Sequence, residues 1–296
     1  MINDEQIASL LGEKALKYLK NKERGGSSNQ KGNTYENVFA IYQIALLEPV
    51  IWEQGQSIDI SSQVMAFVDD LIIDYCNENF VKHFQLKATQ VSWDEGEHPI
   101  AEDFCMQFQI NEQLLQKKSE INLVVPFSQL RQKLLDSIPG NIQSYTQVCL
   151  FSCDPNLRKV LQLEPNFRQA IEYLCAFDNP SADKIECVAS VLLGAWMSID
   201  KKNVSIAAIL KRAQQSSPSY IRSFVAVSLD PDVESILESI QGLTYEVSRG
   251  FLKWQFRGLQ EGTLSYSCDD ERFTAFQNHI KKNCPATFDE LEGLLI

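Results

Sequence analysis

The stretch VDDLIIDYCNENFVKHFQLKA, residues 68–88, constrains the fold of this chain more than any other. Two apolar, strand-forming runs flank the turn-rich tetrapeptide CNEN, so the segment reads as an antiparallel hairpin with strands near 67–74 and 80–88. Such a hairpin belongs in a core, yet it keeps Asp69 and Asp70 at one end and Lys87 at the other. Alternation along a strand puts Gln85 and Lys87 on one face. Pairing about the turn sets them across from Asp69 and Asp70, so a carboxylate, an amide oxygen and an ammonium converge on one spot. Asp69, next to Asp70 along the strand, points to the other side and is expected to be a solvated neighbour.

Such a cluster suits phosphodiester hydrolysis. Hard oxygen ligands hold Mg²⁺, with Mn²⁺ as the alternative, and a lysine positions the nucleophile or offsets developing charge. Asp70 and Gln85 are the expected metal ligands and Lys87 the expected catalytic cation. Glu36, on the polar side of the preceding helix with Ala40 and Gln43, is the further carboxylate in reach by sequence order; it stands open between metal ligand and surface residue. The same hairpin has a plainer reading, in which Asp70 and Lys87 form a cross-strand ion pair that contributes little.

Around the hairpin the pattern is α-β-β-β-α-β. A helix is expected over 4–21, then a polar Gly/Ser loop within NKERGGSSNQKGN. A second helix begins at an N-cap Thr34 and stops at Pro49, with Tyr35, Val38, Phe39, Tyr42 and Leu46 at helical spacing. SIDISSQVMAFVDDLIIDY reads as two strands or one bent strand. Helices are expected over 101–118 and 127–138, with strands at 121–126 and 146–152. Beyond the break CDPN the segments become mostly helical, SPSYIRSFVAV among them, and end in a hairpin and a helix over 270–282. Two domains are expected, 1–155 and 156–296.

Composition narrows the function classes. With 44% hydrophobic and 22% charged residues the chain is globular. No apolar run reaches the ~18 residues of a membrane span. The start MINDEQIASLLGEK is acidic and amphipathic, unlike a signal peptide, so a cytoplasmic location is expected. The eight cysteines are scattered without a C-x-x-C pair, which reads as reduced core thiols rather than zinc ligands. A formal charge of −12 argues against a simple nucleic-acid binder, leaving room for a local basic groove, a metal or a partner that holds the substrate.

Helix-borne Glu36, then Asp70, then Gln85-Leu86-Lys87 within α-β-β-β-α-β resembles the PD-(D/E)xK nuclease superfamily, in the variant with glutamine before x-Lys. RGGSSNQKGNTYENVFAIYQIALL, VDDLII and FQLKAT further resemble the effector nuclease domain of bacterial anti-phage systems, the double-stranded DNA endonucleases of CBASS and Lamassu operons. The resemblance covers about residues 20–150. It implies a restriction-endonuclease-like α/β (α+β) domain with a mixed sheet, followed by a mostly helical domain ending in a β-hairpin. It also implies a metal-dependent endonuclease leaving a 5′-phosphate and a 3′-hydroxyl. One departure is that SSQVMAFVDD lacks the acidic residue that often begins the strand leading to the aspartates.

An endonuclease of this kind must be restrained in its host, so the resemblance implies gating by assembly. The expected partners are double-stranded DNA, further copies of the chain, and a sensor protein from the same operon, with an SMC-like ATPase favoured. Arg24 and Lys31 in the Gly/Ser loop are possible phosphate contacts, the alternative being a flexible link. Lys211, Arg212 and Arg222 would contact DNA if NVSIAAILKRAQQSSPSYIRSF belongs to a winged helix-turn-helix; a helical interaction module with solvated basic residues is the alternative. A non-catalytic nuclease-fold scaffold subunit is the competing function.

Overall fold

A computed structural model of the chain describes residues 4–25, 30–217, 219–224 and 228–295, without the side chains of 23–25 and 30–33. The chain forms two compact units, residues 1–170 with 192–210, and residues 171–191 with 211–296. The division falls after Ala170 rather than at 155, and the chain returns to the first unit at Leu192.

The first unit is mixed α/β. It opens with α1 (Asp4–Leu11), α2 (Glu13–Gly25) and α3 (Gln30–Trp52), then β1 (Ile58–Ser61), β2 (Leu71–Tyr75) and β3 (Phe80–Leu86). There follow α4 (Ile100–Gln109), a π-helical turn over Ile110–Leu114, β4 (Lys118–Val125), α5 (Ser128–Asp136), β5 (Thr146–Leu150) and α6 (Leu157–Leu163). The start of α7 (Pro165–Leu174), the end of α8 (Ala182–Met197), β6 (Val204–Ser205) and the start of α9 (Ile206–Ser216) complete it.

Six strands form one sheet in the order β5-β4-β3-β2-β1-β6. β6, β1, β2 and β3 pair antiparallel, whereas β3-β4 and β4-β5 are parallel. Of the parallel strands, the run 121–125 of β4 is buried on both faces, whereas β5 at the sheet edge exposes Gln147 and Leu150. On one side Val68, Phe104, Ile121, Leu123, Leu130 and Val148 share a core with α4 and α5. Against the other lies α3, buried nearly all round, whose Phe39 meets Phe84 and Phe151 edge-on while Tyr42 stacks on Phe151.

Several elements depart from the sequence expectations. The first helix is two, broken at Gly12, whose φ of +88° is left-handed backbone that suits glycine. Of the expected loop over 25–33, residues 26–29 lie outside the described residues. α3 already begins at Gln30, so Thr34 is not its cap. Pro49 does not end α3, which runs on to Trp52 as Ile51 buries and Glu53 N–H bonds to the Pro49 carbonyl at 2.9 Å. Residues 58–75 form two strands joined by a loop. Lys118 already belongs to β4, because the helix before it closes in the π-helical turn. Four of the eight cysteines, Cys76, Cys153, Cys187 and Cys284, are exposed rather than core.

The second unit holds the rest of α7 to α9, then α10 (Pro231–Ser239), β7 (Leu243–Ser248), β8 (Phe251–Phe256), β9 (Gln260–Thr263), α11 (Glu271–Asn283) and α12 (Phe288–Glu292). Its terminal hairpin is a three-stranded antiparallel sheet. The turn between β7 and β8 is Arg249-Gly250, both at positive φ as a two-residue hairpin demands, and a Cβ at Gly250 would lie 2.1 Å from Ser223. SPSYIRSFVAV forms no helix among its described residues. Ile221 is buried and bridges to Cys175, with Ala176 N–H bonded to Tyr220 and Arg222 N–H to Leu174. No helix of the described residues is long and apolar enough to cross a membrane.

Phe151 is fully buried and touches Tyr35, Phe39, Tyr42 and Phe167. Phe151→Ala is expected to cost about 3–5 kcal/mol in chemical denaturation. Leu259→Ala, at a side chain 87% exposed, is expected to change stability by less than about 0.5 kcal/mol. Similar values for the two would contradict this packing.

Candidate functional site

β2 and β3 pair with Leu71 opposite Phe84 and Tyr75 opposite Phe80, across the turn 76–79. Asn79 closes that turn in the left-handed region at φ 51° and bonds through its side chain to the Gln116 carbonyl. Carrying this register one step beyond Leu71 and Phe84 sets Asp70 beside Gln85. Asp70 therefore lies just before β2 rather than inside a strand, and Lys87 just after β3, where its N–H bonds to the Val124 carbonyl.

The Asp70 Oδ2 accepts the Leu86 N–H at 2.6 Å and a short bond from the Gln85 Nε2. Its loop is pinned on both sides: the Ser62 hydroxyl donates to the Asp70 carbonyl, and Gln63 N–H to that of Asp69. Gln107 of α4 takes the Phe67 N–H at 2.9 Å. Burial raises the Asp70 carboxyl above its usual range, opposed by the Leu86 N–H, the Lys87 and Lys22 charges and Gln85.

The sequence reading missed the cation at the centre of this cluster. Ala15, Leu16, Tyr18 and Leu19 make the inward stripe of α2, and Leu16 and Leu19 pack with Phe67 and Ile110. Lys22 comes one turn later, three residues beyond Leu19 and four beyond Tyr18, so the stripe carries its ammonium inward. It donates to the Phe67 carbonyl in a short bond and to the Gln85 Oε1 at 3.3 Å. It also lies 3.3 Å from Asp103 Oδ2 and 3.4 Å from Asp69 Oδ1. Tyr18 stacks on His98 and donates to Asp103 at 3.1 Å. The signal for Lys22 was a lysine in register with an apolar helical stripe.

Asp69 is thus not a solvated neighbour. It is 5% exposed and faces Lys22, because the residue precedes β2 and strand alternation does not govern it. Burial pushes its carboxyl up to about 6 against the pull of Lys22. Asp103 is also raised by burial, with Lys22 and Tyr18 opposing.

Glu36 reaches the same end of the sheet from α3 and accepts a bond from Gln63 Nε2 at 3.1 Å. Burial, with the Asp70 charge beside it, pushes its carboxyl up to about 7. Lys201, which donates to Asn37 at 2.6 Å and lies over the Trp196 ring, moderates that rise. The structure therefore brings Asp70, Gln85, Lys87 and Glu36 into one electrostatic neighbourhood with Asp69, Asp103, Lys22, Gln63 and Lys201. The side chains of Arg24 and Lys31 lie outside the described residues. Lys211 and Arg212 are exposed on α9 in the second unit, where the Arg222 guanidinium lies 4.1 Å over the Tyr173 ring.

Asp70 and Glu36 offer the hard oxygen donors that a divalent cation takes, and Gln85 adds its own only with the amide turned over, because Nε2 now faces Asp70 and Oε1 the Lys22 ammonium. That ammonium stands among two carboxylates, an amide oxygen and a carbonyl. The described residues hold no group of three His, Cys, Asp or Glu side chains arranged to bind a metal. A ligand set here depends on the Gln85 amide. An open cavity of about 710 Å³ belongs to the second unit, lined by Tyr245, Trp254 and the ion pair Lys253–Asp178, and takes no part in this cluster. Comparison with family models, with curated proteins and with solved structures finds no match to this chain.

The raised Glu36 carboxyl makes stability depend on pH. Folded Glu36 binds its proton more tightly than the unfolded chain does, so stability falls as pH rises from about 4.5 to about 7. Asp69 acts in the same sense. Glu36→Gln is expected to gain about 1–2 kcal/mol at pH 8, after allowance for solvent screening, and almost nothing at pH 4. Urea titrations at the two pH values check this; an equal effect at both would contradict it.

Proposed function

We propose that the first unit is a metal-dependent double-stranded DNA endonuclease of the PD-(D/E)xK type. The observation that carries this reading is the pairing of Asp70 with Gln85 at the open end of β2 and β3, with Lys87 two residues on. The mixed six-stranded sheet and the preceding helix with Glu36 support it. Mg²⁺, or Mn²⁺, bound by Asp70, Gln85 and Glu36 would polarise the scissile phosphate and lower the pKa of a bound water.

The chain's own groups supply the rest. The Leu86 N–H fixes the Asp70 carboxylate, and Lys87, whose charge already acts on Asp70, meets charge developing on the phosphate. Glu36, raised by burial and the Asp70 charge, would give up its proton on taking the metal, whose charge favours the carboxylate. The net charge of −12 fits an enzyme with weak intrinsic DNA affinity that is held quiet until a partner delivers substrate. On this reading the chain is the effector subunit of an anti-phage complex, gated by an SMC-like ATPase or by self-assembly. Lys211, Arg212 and Arg222 of the second unit are the proposed further DNA contacts.

One observation favours a second reading, a nuclease-fold scaffold without catalysis: Lys22, paired with Asp69 and Asp103, already occupies the Gln85 oxygen that a cation would use. Plasmid cleavage over a wide protein range with Mg²⁺ separates the two. Metal-dependent cutting, abolished by EDTA and reduced about a hundredfold or more in Lys87→Ala, is expected. No cutting at any concentration, alone or with the partner ATPase, would overturn the enzyme reading in favour of the scaffold.

A further inference from the structure

The amide of Gln85 faces two ways, with Nε2 towards Asp70 and Oε1 towards the Lys22 ammonium. A cation chelated by Asp70 and Gln85 together needs the amide oxygen, not the amide nitrogen, beside Asp70. Turning the amide over would then aim its N–H groups at the Lys22 ammonium, which has only donors of its own. Keeping the present orientation is no better. Adding a ligand bond of about 2.1 Å to the 3.3 Å between Lys22 and Oε1 places a divalent cation within roughly 5 Å of a fixed positive charge. Lys22 at this position therefore competes with a cation for the Gln85 oxygen and weakens its binding on Asp70 and Gln85.

We propose that Lys22 is an internal latch, an ammonium carried by the N-terminal helix pair that holds the metal site shut until α2 withdraws it. The inference rests on the nuclease reading and specifies how that site is regulated. The latch is anchored on three elements. Phe67 and Asp69 lie in the loop before β2, Gln85 is on β3, and Asp103 is on α4. Tyr18, one turn earlier on α2, adds its own bond to Asp103, so the helix and its lysine move together. α1 and α2 are attached by a small apolar cluster, Ile7, Leu16 and Leu19 against Phe67 and Ile110, distinct from the larger core beneath α4 and α5. A protein that captures the apolar stripe of α2 would draw Lys22 out, free the Gln85 oxygen, and leave buried carboxylates in need of a cation.

Titration calorimetry with Mn²⁺ on the full chain tests this without relying on cleavage. Lys22→Met is expected to bind Mn²⁺ at least about tenfold more tightly than the native protein, and the added change Asp70→Asn to abolish that binding. Lys22→Met leaves Asp69 and Asp103 without their cation and so risks the fold; Asp103→Asn keeps Lys22 but loosens its hold, and is expected to tighten Mn²⁺ binding by a smaller factor. Equal affinity in native, Lys22→Met and Asp103→Asn proteins, with binding lost in Asp70→Asn, would overturn the latch while leaving the metal site standing. No Mn²⁺ binding in native or variant protein would overturn the latch and the metal reading together.

Discussion

A carboxylate taken out of water must find a cation, a proton or a set of donors, and this requirement organises one end of the sheet unit. Asp69 and Asp103 are almost wholly enclosed, and Asp70 and Glu36 are partly so. The protein answers in three ways: Lys22 between Asp69 and Asp103, a backbone N–H and an amide on Asp70, and a carboxyl raised towards neutrality on Glu36. Breaking a buried pair by removing one partner is far costlier than the pair's net contribution. The cluster therefore behaves as a unit in which one member's charge sets what the others can hold.

Placement of the unit follows from strand register. A slip of one residue between β2 and β3 would turn Gln85 towards α3 and bring Phe84 to the charged end. The edge-on contact of Phe39 with Phe84, backed by Phe151 against Phe39 and Tyr42 on Phe151, resists such a slip, so the apolar core on one face fixes the polar geometry on the other. The loop from Ser62 to Asp70 adds the second constraint. Hydrogen bonds from Ser62, Gln63 and to Gln107 hold both aspartates where the sheet ends.

The hairpin was legible because both its cues are local: two strand-forming runs about CNEN, and charges at matching distances from the turn. Its convergence of Asp70 and Gln85 follows from pairing alone. Asp103 and Lys22 were not legible as partners, since they approach from α4 and α2 at separations of 81 and 63 residues from the groups they meet. Lys22 did leave a trace, a charged residue in phase with Leu16 and Leu19. Asp69 was misjudged because strand alternation was applied to a residue that precedes the strand. Pro49 misled because a proline signals a helix end by local geometry, whereas burial of Ile51 carries α3 one turn further.

The central claim is that this end of the sheet is a cation site whose resting occupant is the protein's own lysine. Anomalous diffraction from native and Lys22→Met crystals soaked in the same Mn²⁺ solution tests it most directly. In the Lys22→Met crystal a peak is expected within ligand distance of Asp70 and the Gln85 oxygen, with the amide turned over, and in the native crystal a much weaker peak or none while Lys22 stays between Asp69 and Asp103. No peak there in the Lys22→Met crystal, or an equal peak in the native crystal with Lys22 still in place, would contradict it.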